Sequence, residues 1–341
     1  MYGQNLNHTV KDTELVKKVF VAGTENFNST ALAVFNFQYH NNPLYKKYCD
    51  TLKIEPGDIT EITQIPFLPI TFFKTHTVVS TQFEPQAVFE SSGTTQTINS
   101  KHLVKDIAVY EESFTKTFNQ FYGNAKDWCI IALLPSYLER TNSSLVMMAD
   151  KLIKESKRPQ SGFYLNEFEK LKTVLSELEN KKQKTLLIGV TFALLDLAEQ
   201  FPMPLQYTTI METGGMKGRR EEITRQQVHE ILCKAFQKES IHSEYGMTEL
   251  LSQAYSKGNG IFTTPPWMKI LIREEDDPFA IHDEENKIVT GAINVIDLAN
   301  IYSCSFIATE DAGKLYSDGR SFEVLGRLDN TDVRGCSLMT V

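Results

Sequence analysis

Apolar residues recur every three or four positions between Asp12 and His40: Leu15, Val16, Val19 and Phe20, then Leu32, Phe35 and Tyr39. That period predicts helix. The proline-rich stretch IPFLPITFFKTHTV reads as extended chain. Phe89 to His102 has the Ser, Thr and Gly content of a loop, and Leu103 to Tyr122 has the spacing of an amphipathic helix.

The middle of the chain alternates. Short apolar runs predict buried strands at Cys129 to Leu134, Thr185 to Val190 and Tyr207 to Met211. Helical patterns cover Ser143 to Ser156, Asn166 to Glu179, Phe192 to Gln200 and Thr224 to Lys238. The last begins with Thr224 and Gln227 at capping-box spacing. Such alternation predicts an α/β fold, a largely parallel sheet covered by helices. The run after Tyr245 and Gly246 is apolar and helix-prone, so a helix is expected to start there. Beyond Tyr255, strands are expected at Met268 to Arg273, Ile288 to Asp297 and Phe322 to Leu325, with little helix. The organisation this predicts is an α/β body over residues 1–257 and a β-rich part over residues 258–341 packed on it.

Length and composition narrow the class. A chain of 341 residues with 41% hydrophobic content can build one large α/β unit or two domains. A net charge of −8 argues against a nucleic-acid partner, which needs a basic face. Cys49, Cys129, Cys233, Cys304 and Cys336 form no CxxC pair and fit no zinc spacing. Cys129 and Cys233 read as core residues. No signal-peptide pattern opens the chain, and no apolar run is long enough for a membrane span. The expectation is a soluble, cytoplasmic protein.

Candidate chemistry lies in four places. Ser91, Ser92, Gly93, Thr94 and Thr95, with Lys101 and His102 beyond, supply the hydroxyls and backbone amides that wrap an anionic phosphate chain. They serve equally as a polar surface loop. In YGMTE, Tyr245 offers a ring for a base, Gly246 room, Thr248 a hydroxyl for phosphate and Glu249 a carboxylate for Mg²⁺. The same residues make a plain strand-to-helix turn. ETGGMKGRREE places Lys217, Arg219 and Arg220 on a flexible turn, where they hold an anion or pair with Glu221 and Glu222. Asp311, in a turn, and Arg327 suit ribose hydroxyls or phosphate, and both also suit ordinary turns. His229 is expected to face solvent, and no histidine has the companions of a Ser-His-Asp triad.

In this order and at these separations, the motifs resemble the acyl-adenylate-forming superfamily of acyl-CoA synthetases, adenylation domains and beetle luciferases. SSGTT looks like its phosphate loop, YGMTE its adenine and magnesium motif, Asp311 its ribose aspartate and GRLD its hinge. SSGTTQTINSKH, ETGGMKGRREE, IATEDAG and RGCSL most resemble the LuxE-type acyl-protein synthetases of bacterial bioluminescence, from Phe67 to the C-terminus. The sequence departs from the superfamily where Gln96 replaces a glycine and where Glu310 precedes Asp311. The small mobile C-terminal lid domain of longer members, with its adenylation lysine, is not found after the hinge motif. Lys217, ahead of Lys74, is the candidate to supply that charge.

The resemblance implies ATP and Mg²⁺ as cofactors and a carboxylic acid, fatty in the bioluminescence branch, as substrate. It implies acyl-AMP formation, then transfer to a thiol. Cys336 is the residue matching the family's acyl-carrying cysteine; Arg334 nearby favours its thiolate. Read without the family, Cys336 is a small residue in a final turn. A partner reductase or carrier protein is implied as acyl acceptor. The alternatives are a truncated CoA ligase-like enzyme and a non-catalytic nucleotide-binding subunit.

Overall fold

A computed structural model describes residues 4–21 (side chains from Asp12 onward), 25–91, 98–134, 142–165, 167–214, 223–282 and 286–328. The chain opens with helices α1 (Gln4–Val21), α2 (Phe27–Asn41) and α3 (Pro43–Thr51). Strand β1 (Leu68–Pro69), the helical turn α4 (Phe72–Thr75), strands β2 (Ala87–Glu90) and β3 (Lys101–Val104) and helix α5 (Ile107–Tyr122) follow. Then strands and helices alternate: β4 (Cys129–Leu133), α6 (Ser144–Ser156), β5 (Gly162–Phe163), α7 (Phe168–Asn180), β6 (Thr185–Gly189), α8 (Thr191–Gln200), β7 (Thr208–Glu212), α9 (Arg225–Phe236) and β8 (His242–Tyr245). The chain continues through β9 (Ala254–Ser256), β10 (Phe262–Thr263), β11 (Met268–Arg273), β12 (Val289–Asp297), β13 (Phe306–Leu315) and β14 (Ser321–Arg327).

These elements fall into two compact units. One comprises Met1–Ser113, Met247–Ser252 and Thr264–Phe322; the other comprises Phe114–Gly246, Gln253–Thr263 and Glu323–Val341.

In the second unit the strands run in the order β10-β9-β8-β7-β6-β4-β5. β5, β4, β6, β7 and β8 are mutually parallel, and β9 and β10 return antiparallel. Every residue of β4 (CIIAL) and β6 (TLLIG) is buried. Parallel strands covered on both faces need such unbroken apolar runs. Helix α8 is buried nearly all round, whereas α7 alternates Leu171, Leu175 and Leu178 with solvated charge. Thr224 and Gln227 form the expected capping box at α9.

The first unit is built on the antiparallel strands β11-β12-β13, with β1 parallel to β13 and β2-β3 as a separate hairpin. Its core packs Phe35, Tyr45 and Phe67 around Phe306. Gln38, fully buried, donates to the Asn300 and Ile301 carbonyls and accepts from Ser305 N–H. Gly291 is required where it lies, because a Cβ there would collide with the Arg273 carbonyl on β11. No described helix is long and apolar enough to cross a membrane.

Several sequence expectations change. The proline-rich stretch expected to be extended turns through α4 at Phe72–Thr75. The helix expected from Leu103 begins at Ile107, because Lys101–Val104 pairs with Ala87–Glu90 as a hairpin. The apolar run after Gly246 is not helical; it leads into β9, which pairs with β8. IATEDAG is not a turn but part of β13.

Leu187 lies fully buried in mid-β6. Leu187→Ala should lower the stability of its unit by about 2–5 kcal/mol. The check is a denaturant titration, in which the midpoint falls at unchanged m value.

Candidate functional site

The loop Met247–Ser252 carries Thr248 and Glu249 without helical hydrogen bonds, so its buried backbone needs other partners. Three side chains of the same unit supply them. His102 on β3 bonds the Thr248 carbonyl through Nδ1 at 2.9 Å. Asn300 Nδ2 donates to the Glu249 carbonyl at 2.6 Å. Asp297, at the end of β12, accepts from Leu251 and Ser252 N–H (2.7 and 3.0 Å) and from Ser252 Oγ (2.6 Å). Trp267 Nε1 then donates to Ser252 Oγ and Ser113 Oγ, both at 3.1 Å. Burial pushes the Asp297 carboxyl up to about 6, against the pull of those donors.

His102 does more than close the hydroxyl-rich loop. It is buried against the edges of Phe73 and Phe89. Burial brings its imidazole down to about 4, against the Thr248 bond, so it is neutral at pH 7 and donates through Nδ1–H. Ser91 Oγ accepts from Ser100 N–H at 2.9 Å, and Ser91 N–H donates to the Ser100 carbonyl at 3.1 Å. The hairpin base is thus closed by Ser91 and tied to Thr248 by His102. Ser92, Gly93, Thr94 and Thr95 lie outside the described residues.

Asp311 sits in a β-bulge. Asn294 pairs with Ala308 and Ala292 with Ala312, so Ile293 alone faces Thr309, Glu310 and Asp311. Bulges re-aim side chains and recur beside active sites. A buried polar cluster holds this one. Arg273 donates to the Ile293 carbonyl, Asn294 Oδ1 and the Thr309 carbonyl (2.9, 2.7 and 2.8 Å). Thr309 Oγ1 donates to the Ile293 carbonyl and accepts from Asp311 N–H (2.8 and 3.2 Å).

The second unit contributes Tyr245, Gly246 and Arg327. Tyr245 ends β8 with its ring 5.9 Å from Phe262, over which Arg225 lies at 5.2 Å. Arg327 ends β14. The carboxyl ends of parallel strands are where open α/β sheets bind ligands, and here they are polar. Glu212 ends β7; its Oε1 accepts from Thr191 Oγ1 (2.6 Å) and Gly214 N–H (2.7 Å). His229 is not turned to solvent as expected: its Nε2 lies 3.2 Å from Ser243 Oγ and 3.9 Å from Glu212 Oε2. Burial works against the Glu212 charge, but His229, Arg225 and Thr191 outweigh it and hold the carboxyl below its usual range. Glu244, one residue before Tyr245, goes the other way: burial, then the nearby Glu212 charge, pushes it up to about 8. It keeps part of its surface open, so burial here means being hemmed in by protein more than sealed from water.

Residue reading along the sequence missed Glu212, Glu244, Asp297 and Asn300 and gave His102 no role beyond the hydroxyl-rich loop. Glu212 directly follows the strand expected at Tyr207 to Met211, and that was its available signal; no strand was expected to end at Glu244. His102, Asp297 and Asn300 act through contacts distant in sequence. Lys217 and Cys336 lie outside the described residues, and Lys74 is exposed on α4. A cleft on the second unit, about 530 Å³ and lined by Gln206, Thr209, Lys238 and His242 among others, lies at the opposite ends of β7 and β8 from Glu212 and Tyr245. We place no chemistry there.

A protein-family model described as acyl-protein synthetase, LuxE, matches residues 21–340. No curated protein matches. Among solved structures, the AtGH3.15 acyl acid amido synthetase in complex with 2,4-DB is 9% identical with a TM-score of 0.52, covering 94% of this chain and 71% of its own. That likeness is one of fold. The O-succinylbenzoate coenzyme A synthetase (MenE) from Bacillus subtilis, in complex with ATP and magnesium ion, is 16% identical, covering 73% of this chain and 51% of its own, with a TM-score of 0.46. The R395G form of coronafacic acid ligase from Pectobacterium brasiliense is 16% identical, covering 64% and 43%, with a TM-score of 0.42. The chain spans about half the length of these two enzymes.

The buried neutral His102 makes stability depend on pH. Its folded value, about 4, lies below the ordinary 6.5, so below pH 6.5 the unfolded chain binds the proton more readily. The stabilisation is present above pH 6.5 and is lost as pH falls towards 4. The shift is worth about 3 kcal/mol. Stability curves of His102→Gln between pH 7 and 4 should be flatter than those of the unaltered chain.

Proposed function

The chain belongs to the LuxE acyl-protein synthetase family, and from that premise we propose that it activates a carboxylic acid with ATP as acyl-AMP and passes the acyl group to a protein thiol. The observation that carries this reading is the His102 bond to Thr248, which joins the base of the hydroxyl-rich hairpin to the loop of Thr248 and Glu249. Two segments read separately as phosphate-binding are held together by a buried, neutral donor.

A free carboxylate is a poor acyl donor because its leaving group would be an oxide or hydroxide. Its attack on the α-phosphorus of ATP forms the C–O–P anhydride and breaks the bond to pyrophosphate. Positioning two anions and neutralising the charge that develops is the protein's main task. Thr94, Thr95 and Thr248 would hold phosphate oxygens, with Ser91 to Gly93 shaping the loop. Tyr245 would lie against the base, with Gly246 leaving room, and Asp311 and Arg327 would take ribose or phosphate. Mg²⁺ binds through one or two carboxylates together with substrate phosphates and water, a demand the single carboxylate of Glu249 fits. Among the described residues, no group of three or more His, Cys, Asp or Glu is placed to cage a metal. When bound, Mg²⁺ offsets phosphate charge. Lys217 would supply the positive charge near the attacking carboxylate. Thioester formation on the Cys336 sulfur would break the acyl–phosphate bond and release AMP. A reductase or carrier protein in the cytoplasm would then receive the acyl group.

ATP–pyrophosphate exchange by the intact chain should depend on added acid. Intact-mass measurement after ATP and acid should show an acyl adduct that Cys336→Ser abolishes. An adduct-free chain accumulating acyl-CoA in the presence of coenzyme A would replace the protein thiol with coenzyme A in this reading, and nucleotide binding without exchange would reduce it to a binding subunit.

Asn300→Ala removes the donor to the Glu249 carbonyl. Exchange should slow about tenfold, equal to roughly 1.4 kcal/mol of barrier, measured under saturating acid.

A further inference from the structure

Successive residues of a strand point to opposite faces, and β8 follows the rule. Ser243 and Tyr245 face α9 and β10, through His229 and Phe262. His242 faces the other way, its Nδ1 3.1 Å from the Tyr122 hydroxyl on α5. Glu244 shares that face, since its charge acts on Tyr122. On the partner strand, Tyr255 pairs with Glu244 and Ala254 with Tyr245. Gln253, two residues before Tyr255, therefore falls on the Glu244 side. Gly246 confirms the convergence: a Cβ there would stand 2.5 Å from Glu244 Oε1 and 3.4 Å from Gln253 Cγ. The two polar side chains meet over the glycine of YGMTE, on the face turned away from the Tyr245 ring.

Neither is satisfied. Gln253 is 5% exposed and its Oε1 has no hydrogen-bond partner among the described residues. The Glu244 carboxylate has no hydrogen bond to any described residue either, while neighbouring Glu212 has two. An unpaired buried acceptor costs about 1–3 kcal/mol, and such groups in a native fold ask for a reason. The buried Gln253 Oε1 lacks a donor, the half-exposed Glu244 carboxyl takes no hydrogen bond from a described residue, and Glu212 adds negative charge. A group that answers all of this donates hydrogen bonds and carries positive charge.

On the reading that Tyr245 takes the base, the acid would lie beyond Gly246, on the face where Glu244 and Gln253 meet. Resting on that reading, we propose that the acid activated here bears a hydrogen-bond-donating nitrogen, an amino group, that Glu244 and Gln253 bind. A plain alkyl chain, as the bioluminescence resemblance implies, would bury both acceptors without donors. Glu244 and Gln253 then determine which acid is chosen, while the adenylation machinery is common to all acids.

The test is ATP–pyrophosphate exchange by the intact chain with length-matched panels of alkyl acids and their amino-substituted counterparts. An amino-bearing acid should lead in kcat/KM by at least about tenfold. In the Glu244→Leu/Gln253→Leu double variant that lead should collapse, and Glu244→Gln, which keeps the side chain's size, should retain part of it. Thermal melting of each variant separates lost selectivity from lost fold, and the panel on the unaltered chain stands without any variant. Exchange led by plain alkyl acids overturns the inference and leaves acid activation intact. Absence of exchange with every acid overturns both.

Discussion

Everything chemical in the first unit depends on holding an irregular buried loop still. Residues 247–252 carry two candidate ligand groups, Thr248 and Glu249, yet have no ladder or helix of their own. Asp297 and Asn300, three residues apart at the end of β12, and His102 on β3 replace it. A helix would have satisfied the same amides at lower cost, but its residues would turn by about 100° each. Side-chain anchoring leaves the loop extended enough to enter β9 only a few residues later. Its price is a carboxylate kept in the interior, where burial pushes Asp297 up to about 6 despite four donors on its two oxygens.

The same principle places Asp311. A regular β12–β13 ladder would set its direction by alternation alone. The bulge opposite Ile293 frees it from that rule, and Arg273 and Thr309 occupy the carbonyl that the bulge leaves without a strand partner. Arg273 has carbonyl and amide oxygens around it where a carboxylate would be usual, so its charge is spread over dipoles and burial lowers its proton affinity.

Local pattern carried far along the sequence and then stopped. The unbroken apolar runs of β4 and β6, the capping box of α9 and the alternation that makes the sheet parallel were all legible, because each is set by neighbours in sequence. The family was legible because its motifs keep their order. The non-helical loop after Gly246 was not: Leu250 and Leu251 look like helix formers, and only Asp297, far along the chain, overrides them. The bulge at Thr309 to Asp311 read as a turn for a related reason. Thr, Glu and Asp suit turns by propensity, whereas the register that makes them a bulge is fixed by Ile293 on another strand. His229 looked solvent-facing on its helix until Glu212 and Ser243 came up against it.

Glu212 ends β7 and Glu244 lies one residue before the end of neighbouring β8, and they differ in what surrounds them. Glu212 has a hydroxyl, a backbone amide and an imidazole at hand, so its charge is stabilised where it lies. Glu244 has none, and the charge of Glu212 beside it raises the cost of its own. A second set of donors at Glu244 would have relieved that cost within the fold. The chain instead leaves the buried Gln253 Oε1 and the half-exposed Glu244 carboxyl without donors, a cost of about 2–6 kcal/mol if both were fully desolvated. That is comparable with truncating one well-packed core leucine, a cost the buried sheet can absorb. Partial exposure of Glu244 lowers it. An amino group arriving with the substrate would recover this energy on binding, and an alkyl chain would not. Discrimination of that kind is strong because the penalty falls on the wrong ligand, which leaves the site's polar groups unpaired.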